Sequence, residues 1–156
     1  MQTVDQALEK LSRSDFRTKF HLDSRDRANI AEKGMDTIRL HAEDFIAKRL
    51  ASAVIPNDGR QTPMRGHPVF KAQHACACCC RGCLEKWYRV RPGVQLTDDQ
   101  QRRLVNLLMA WIERELERRC AAYLQIRRSA DLLCAPGPQG GGGAASSAPR
   151  GRGAWI

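Results

Sequence analysis

Apolar residues recur at three- and four-residue steps along much of this chain, and no alternating run is long enough to require a sheet. Ala7, Leu8 and Leu11, followed by Phe16 and Phe20, predict a short helix packed onto the body. Asp23 or Ser24 is suited to cap a helix running to Lys33, where Gly34 ends it by tolerating a left-handed backbone. Asp36 is read as the cap of the next helix, whose Ile38, Ala42, Phe45, Ile46 and Leu50 share one face. Thr97 followed by Gln100 is a capping-box signature that opens the longest helix. Its stripe of Leu104, Leu108, Trp111, Ile112, Leu116, Cys120, Tyr123 and Leu124 is read as core rather than as a partner surface.

The periodicity stops from Ala53 to Phe70, where Pro56, Asn57-Asp58-Gly59, Pro63, Gly66 and Pro68 predict a long loop without secondary structure. Val54-Ile55 and Val69-Phe70 are the candidates for a minor β-ribbon. Leu84 to Tyr88 reads as one or two helical turns, and Pro92-Gly93 as a turn. No internal repeat is evident. The expectation is a mainly α fold: a single small helical domain over residues 1–134, with a central irregular Cys/His loop at 57–84. Residues 135–156 hold 7 of the 12 glycines and 3 of the 7 prolines, and read as a disordered Gly/Pro/Ser/Ala tail.

Composition then narrows the class. The chain has 156 residues, enough for one domain to bury its own core without disulfides, and no apolar run approaches a membrane span. No basic and apolar leader opens it, so a cytoplasmic protein is expected, in which seven cysteines are better read as metal ligands or free thiols than as disulfides. The net charge of +9 is uneven: residues 51–96 contribute +5, from Arg60, Arg65, Lys71, Arg81, Lys86, Arg89 and Arg91 against Asp58 and Glu85. Such a field attracts anions, nucleic acid among them, although a solvated surface or compensation of thiolates accounts for it equally well. Oligomeric state is not readable.

The same segment carries the chemistry, from Gly66-His67 through His74 and Cys76-Ala77-Cys78-Cys79-Cys80-Arg81-Gly82-Cys83. Two cysteines separated by two residues place both sulfurs on one tetrahedral ion, with glycine where such turns commonly need it. Cys80 and Cys83 have that spacing, and Cys76 and Cys79 repeat it. His67 and His74 are the natural remaining ligands, zinc is the expected metal, and the choice among Cys76, Cys78, Cys79 and Cys80 stays open. Neighbours such as Cys79 and Cys80 rarely bind one ion together in simple knuckles, so at least one cysteine is expected to be spare. Arg81 and Lys86 are placed to favour a thiolate, which keeps a thiol redox reading alive. His41, beside Ile38 and Phe45, is read first as a core-edge histidine and second as a base. His21 reads as surface, Cys120 as core, and Cys134 carries no signal.

If the chain is an enzyme, Asp58 with His67 or His74, or His41 as base, is the constellation for a metal-dependent hydrolase acting on phosphoesters. The motifs H-E-x-x-H, G-x-x-x-x-G-K-[ST] and G-x-S-x-G, and the zinc deaminase pairing, are absent.

Together these residues resemble a bacterial family of small proteins known only as domain of unknown function 4186. The resemblance covers about Phe16 to Leu116. It is carried by Lys33-Gly34, Thr37-Ile38, His41-Ala42, Asp44-Phe45, Asn57-Asp58-Gly59, Gln61-Thr62-Pro63-Met64 and Gly66-His67-Pro68-Val69-Phe70. Ala72-Gln73-His74-Ala75, Cys79-Cys80-Arg81, Cys83-Leu84, Glu85-Lys86-Trp87 and Ala110-Trp111-Ile112 complete it. The resemblance implies no activity, but it supports His67, His74, Cys79, Cys80 and Cys83 over Cys76 and Cys78, where the family more often has threonine. Tyr88 departs from a histidine frequent in the family, which favours His67 and His74 as the histidine ligands.

Overall fold

The computed structural model describes residues 3–133, with side chains to Arg118. Most of its helices begin where a side chain meets the free amides of a first turn. Thr3 and Gln6 form a reciprocal capping box at α1 (Val4–Ser12), and Asp23 and Asp26 do the same at α2 (Ser24–Lys33). A single 3-10 turn, Arg17–Lys19, lies between them. Gly34, at φ +80 and ψ 155, ends α2 and serves directly as the N-cap of α3 (Met35–Arg49). Asp36 is therefore inside the first turn of α3 rather than its cap, because the glycine lets the chain reverse without an intervening polar residue. Thr97 and Gln100 exchange hydrogen bonds ahead of the last helix, α6 (Asp98–Leu133), as the spacing predicts.

Two helices occupy the stretch read as irregular. The loop ends at Gly66, and α4 (Pro68–Ala75) starts with proline in the first helical position, where its missing N–H costs nothing. The second, α5 (Arg81–Tyr88), follows the cysteine run; it contains the helical turns expected from Leu84 to Tyr88 and begins three residues earlier, inside the loop expected at 57–84. Val69 and Phe70 are thus helical, and the expected β-ribbon does not form: no strand occurs among the described residues.

The chain divides into two compact units, residues 1–122 and 123–156. In the first, Leu8 and Leu11 of α1 join Ile30, Ile38, Ala42, Ile46, Leu50, Val69, Ala72, Leu84, Leu104, Leu108 and Ile112 in one buried cluster. Each fully buried aliphatic side chain contributes on the order of 1.5–3 kcal/mol. Phe16, expected to pack inward, is exposed and instead stacks edge-on against Phe20. The described part of the second unit is the continuation of α6. The side chains of Cys120, Tyr123 and Leu124, Cys134 and the 135–156 tail lie outside the described residues. Among those described, no helix is long and apolar enough to cross a membrane.

Candidate metal centre

Cys79 lies in the bend before α5, Cys80 is the N-cap of that helix with an extended backbone, and Cys83 stands in its first turn. This brings the two neighbours and Cys83 together: the three sulfurs lie within 4.8 Å of one another, with Cys79 and Cys83 3.6 Å apart. A tetrahedral ion bonded to sulfur at about 2.3 Å requires sulfur pairs about 3.8 Å apart, so the triplet is of the right size. Cys80 Sγ also accepts the Cys83 amide at 3.4 Å.

Backbone donors and one carboxylate hold the turn. Asp58 Oδ1 accepts the Arg81 amide at 2.8 Å and Gln61 Nε2 at 2.9 Å. Partial burial works against the charge of Asp58, yet the hydrogen bonds from Arg81, Gln61, Gly82 and Gly59 keep its pKa below the usual value. The hydrolase candidate Asp58 is in this way bound to the helix that carries the cysteines. Gly82 has no left-handed backbone, and a Cβ there would meet nothing within 4 Å; it is an ordinary helical position, not a turn glycine. Thr62 Oγ1 donates to the Cys79 carbonyl at 2.9 Å and ties the loop to the other side of the run.

The cation at the sulfurs is Arg17, which the sequence pattern did not single out. It is buried, donates through Nη2 to Cys83 Sγ at 3.2 Å, and reaches Cys79 Sγ and the His74 carbonyl through Nη1. Its guanidinium packs 5.9 Å from the Trp87 ring. Arg81, the expected thiolate partner, points away: its guanidinium donates to the carbonyls of Leu50, Arg91 and Val94. Cys83 is lowered to about 5 by the hydrogen bond from the Cys79 thiol, against the opposing effect of burial, with further help from Cys80 and Arg17. Cys79, as that donor, holds its proton more tightly, and burial raises Cys80.

The two predicted histidines stand outside the triplet, for a geometric reason. His67 is the N-cap of α4 and His74 lies in its last turn, so about 10 Å of helix rise separates them. His67 Nδ1 accepts the Val69 amide at 3.2 Å, which leaves its Nε2 as the protonated nitrogen, 2.9 Å from His41 Nδ1. Neither nitrogen of His67 then offers a lone pair to an ion. His74 is arranged differently. Its Nε2 faces the Thr62 carbonyl at 3.3 Å and must donate, so Nδ1 carries the free lone pair. Its ring stacks on Phe20, and burial lowers its pKa.

Cys76 and Cys78 are core thiols, fully buried, and burial pushes both pKa values up. The Tyr88 hydroxyl donates to the Cys76 carbonyl and interacts with Cys78. His21 is exposed as expected, but pairs with the buried Glu115 at 3.2 Å. The basic excess is smaller on the surface than in the sequence, because Arg81 is buried and Lys71 is paired with Asp23 and Asp26. A cavity of about 510 Å³ borders Arg17 among Leu8, Leu11, Phe20 and Trp111, and none of its lining residues is a cysteine or Asp58.

Fold and site together define a helical protein with a three-cysteine cluster able to hold a metal ion. The family model for the domain of unknown function DUF4186 matches residues 5–113, and the chain belongs to that family. No solved structure matches the chain.

Proposed function

We propose that Cys79, Cys80 and Cys83, with His74 Nδ1 as fourth ligand, hold a structural zinc ion that fixes the 51–67 loop to the helices of a cytoplasmic protein. The sulfur triplet of metal-binding size carries this reading. His74 supports it through chemistry: a histidine that donates one ring nitrogen to a backbone carbonyl presents the other as a ligand. Arg17 Nη1 reaches both the His74 carbonyl and Cys79 Sγ, which ties the backbone of that histidine to the cysteine run. Three thiolates and a neutral imidazole on Zn²⁺ leave one negative charge, which Arg17 balances. Metal analysis of protein purified without chelators should give about one zinc per chain, and a ratio near zero ends the reading. A cobalt-substituted protein should show sulfur-to-cobalt absorption that Cys83→Ala weakens and His74→Ala shifts.

Arg60, Arg65, Lys86, Arg89 and Arg91 are each exposed, and they are the side chains this reading offers to an anionic partner, nucleic acid first. Binding should weaken steeply with salt, and salt-independent affinity removes that partner class. One observation favours a second reading, thiol redox chemistry: the 3.6 Å separation of Cys79 and Cys83. It requires a disulfide that forms and reduces reversibly in metal-free protein.

A further inference from the structure

His41 and His67 form a pair that the cysteine centre does not use. The backbone fixes its proton arrangement. The Val69 amide can only donate, so His67 Nδ1 accepts, and the neutral ring carries its proton on Nε2. That proton points at His41 Nδ1, 2.9 Å away, so a neutral His41 carries its own proton on Nε2. Nε2 of His41 has no partner among the described residues and is not one of the buried unpaired atoms, so it opens to solvent. The pair is thus a directed chain of donors, starting at the first turn of α4 and ending at the His41 edge.

The surroundings suit an anion. Phe45 and Phe70 flank His67 with ring centroids at 5.2 and 5.6 Å. Arg49 lies over the same two rings, at 5.2 and 4.9 Å, and donates through NH1 to the Gln61 carbonyl at 3.0 Å. The carboxylate that acts on His67, Asp26, is itself neutralised by Lys71. A neutral donor aligned by a helix N-terminus stabilises negative charge on oxygen without first losing a proton to it.

We propose that His41, positioned by His67, is the hydrogen-bond donor of a second site that binds an oxyanion of the phosphate class, with Arg49 supplying positive charge. His67 is a positioning residue, because it acts only through His41.

Long-range ¹H–¹⁵N spectra of the metal-loaded full chain, histidine-labelled and titrated with inorganic phosphate, test this. Both rings should show the Nε2–H tautomer, and phosphate should shift the His41 Nε2 signal saturably. His41→Phe should weaken phosphate binding by about tenfold or more, the loss of one hydrogen bond to a charged group. His67→Asn is the sharper variant, since its amide oxygen can still cap α4 while the ring relay is gone. It should keep the fold, weaken phosphate binding and change the His41 tautomer distribution. An Nδ1–H tautomer at His41 in the wild type, no saturable phosphate shift, or wild-type affinity in His67→Asn overturns the proposal. An equal response to acetate overturns the phosphate class. The wild-type tautomers decide the matter even where a variant fails to fold.

Discussion

A guanidinium 3.2 Å from one sulfur and in reach of a second is both a counter-charge and a ruler for the cluster. Arg17→Met removes both, and zinc affinity is expected to fall roughly 10- to 100-fold, the usual cost of losing a partner of the ligands. Arg17→Lys keeps the charge but not the fork, so it should recover only part of the loss; competition with a chromophoric chelator reads both. Gly82 gives the opposite expectation. Its backbone is helical and the space around it is open, so Gly82→Ala should raise stability by about 0.5 kcal/mol in chemical denaturation and leave metal stoichiometry unchanged. These two residues mark what was legible. Cys80 and Cys83 reveal themselves by spacing alone, because one helical turn joins them. Arg17 lies 66 residues from Cys83 in sequence, and no local pattern encodes a contact that only the folded core creates.

Capping chemistry set both ends of α2 and the start of α6 in the sequence, since a cap is a bond between near neighbours. Where α4 begins was not legible, because prolines and glycines crowd the approach and the cap there is a histidine, His67. Treating that stretch as a loop made His67 and His74 interchangeable as ligands; as a helix it sends one ring to His41 and the other to the Thr62 carbonyl. The cap has a pH signature. Burial, followed by the charges of His41 and Lys33, lowers His67 to about 4 from 6.5. Between those values the unfolded chain binds the proton that the folded chain refuses, so stability falls as pH drops from 6.5 and the loss is complete below about 4. Half-exposure screens the effect to about 1–2 kcal/mol. Thermal melts across this window should show a steeper slope in the wild type than in His67→Asn, where only the contribution of His74 remains among the buried histidines. Gly34 governs the neighbouring joint. At φ +80 and ψ 155, a backbone region essentially confined to glycine, Gly34→Ala should cost about 1–3 kcal/mol in denaturant unfolding.

Across the compact unit, the residues from Ala51 to His67 contribute little to the hydrophobic cluster, and their order rests on a few directional bonds. Arg49 holds the Gln61 carbonyl, Asp58 holds the Arg81 amide, Thr62 holds the Cys79 carbonyl, and His74 holds the Thr62 carbonyl. Three of these four end on α5, on its cysteine approach or on the proposed fourth ligand, so the loop is tied to the cysteine cluster, and an ion held there would stabilise both. The helices α1, α2, α3 and α6 bury their own apolar faces and do not depend on that exchange. Chelation should therefore act unevenly. Zinc present at about 1,000 times its dissociation constant adds about 4 kcal/mol, so its removal should lower the melting temperature by roughly 10–20 °C. Helical content by circular dichroism should fall only slightly, because α4 and α5 are short. Hydrogen exchange supplies the spatial test: the amides of Arg81, Cys83 and Leu84 should lose protection on chelation, whereas those of Ile38 to Ile46 should retain it. Uniform loss of protection would mean that the metal supports the whole core rather than the loop, and no change at all would remove the metal from the account of this fold.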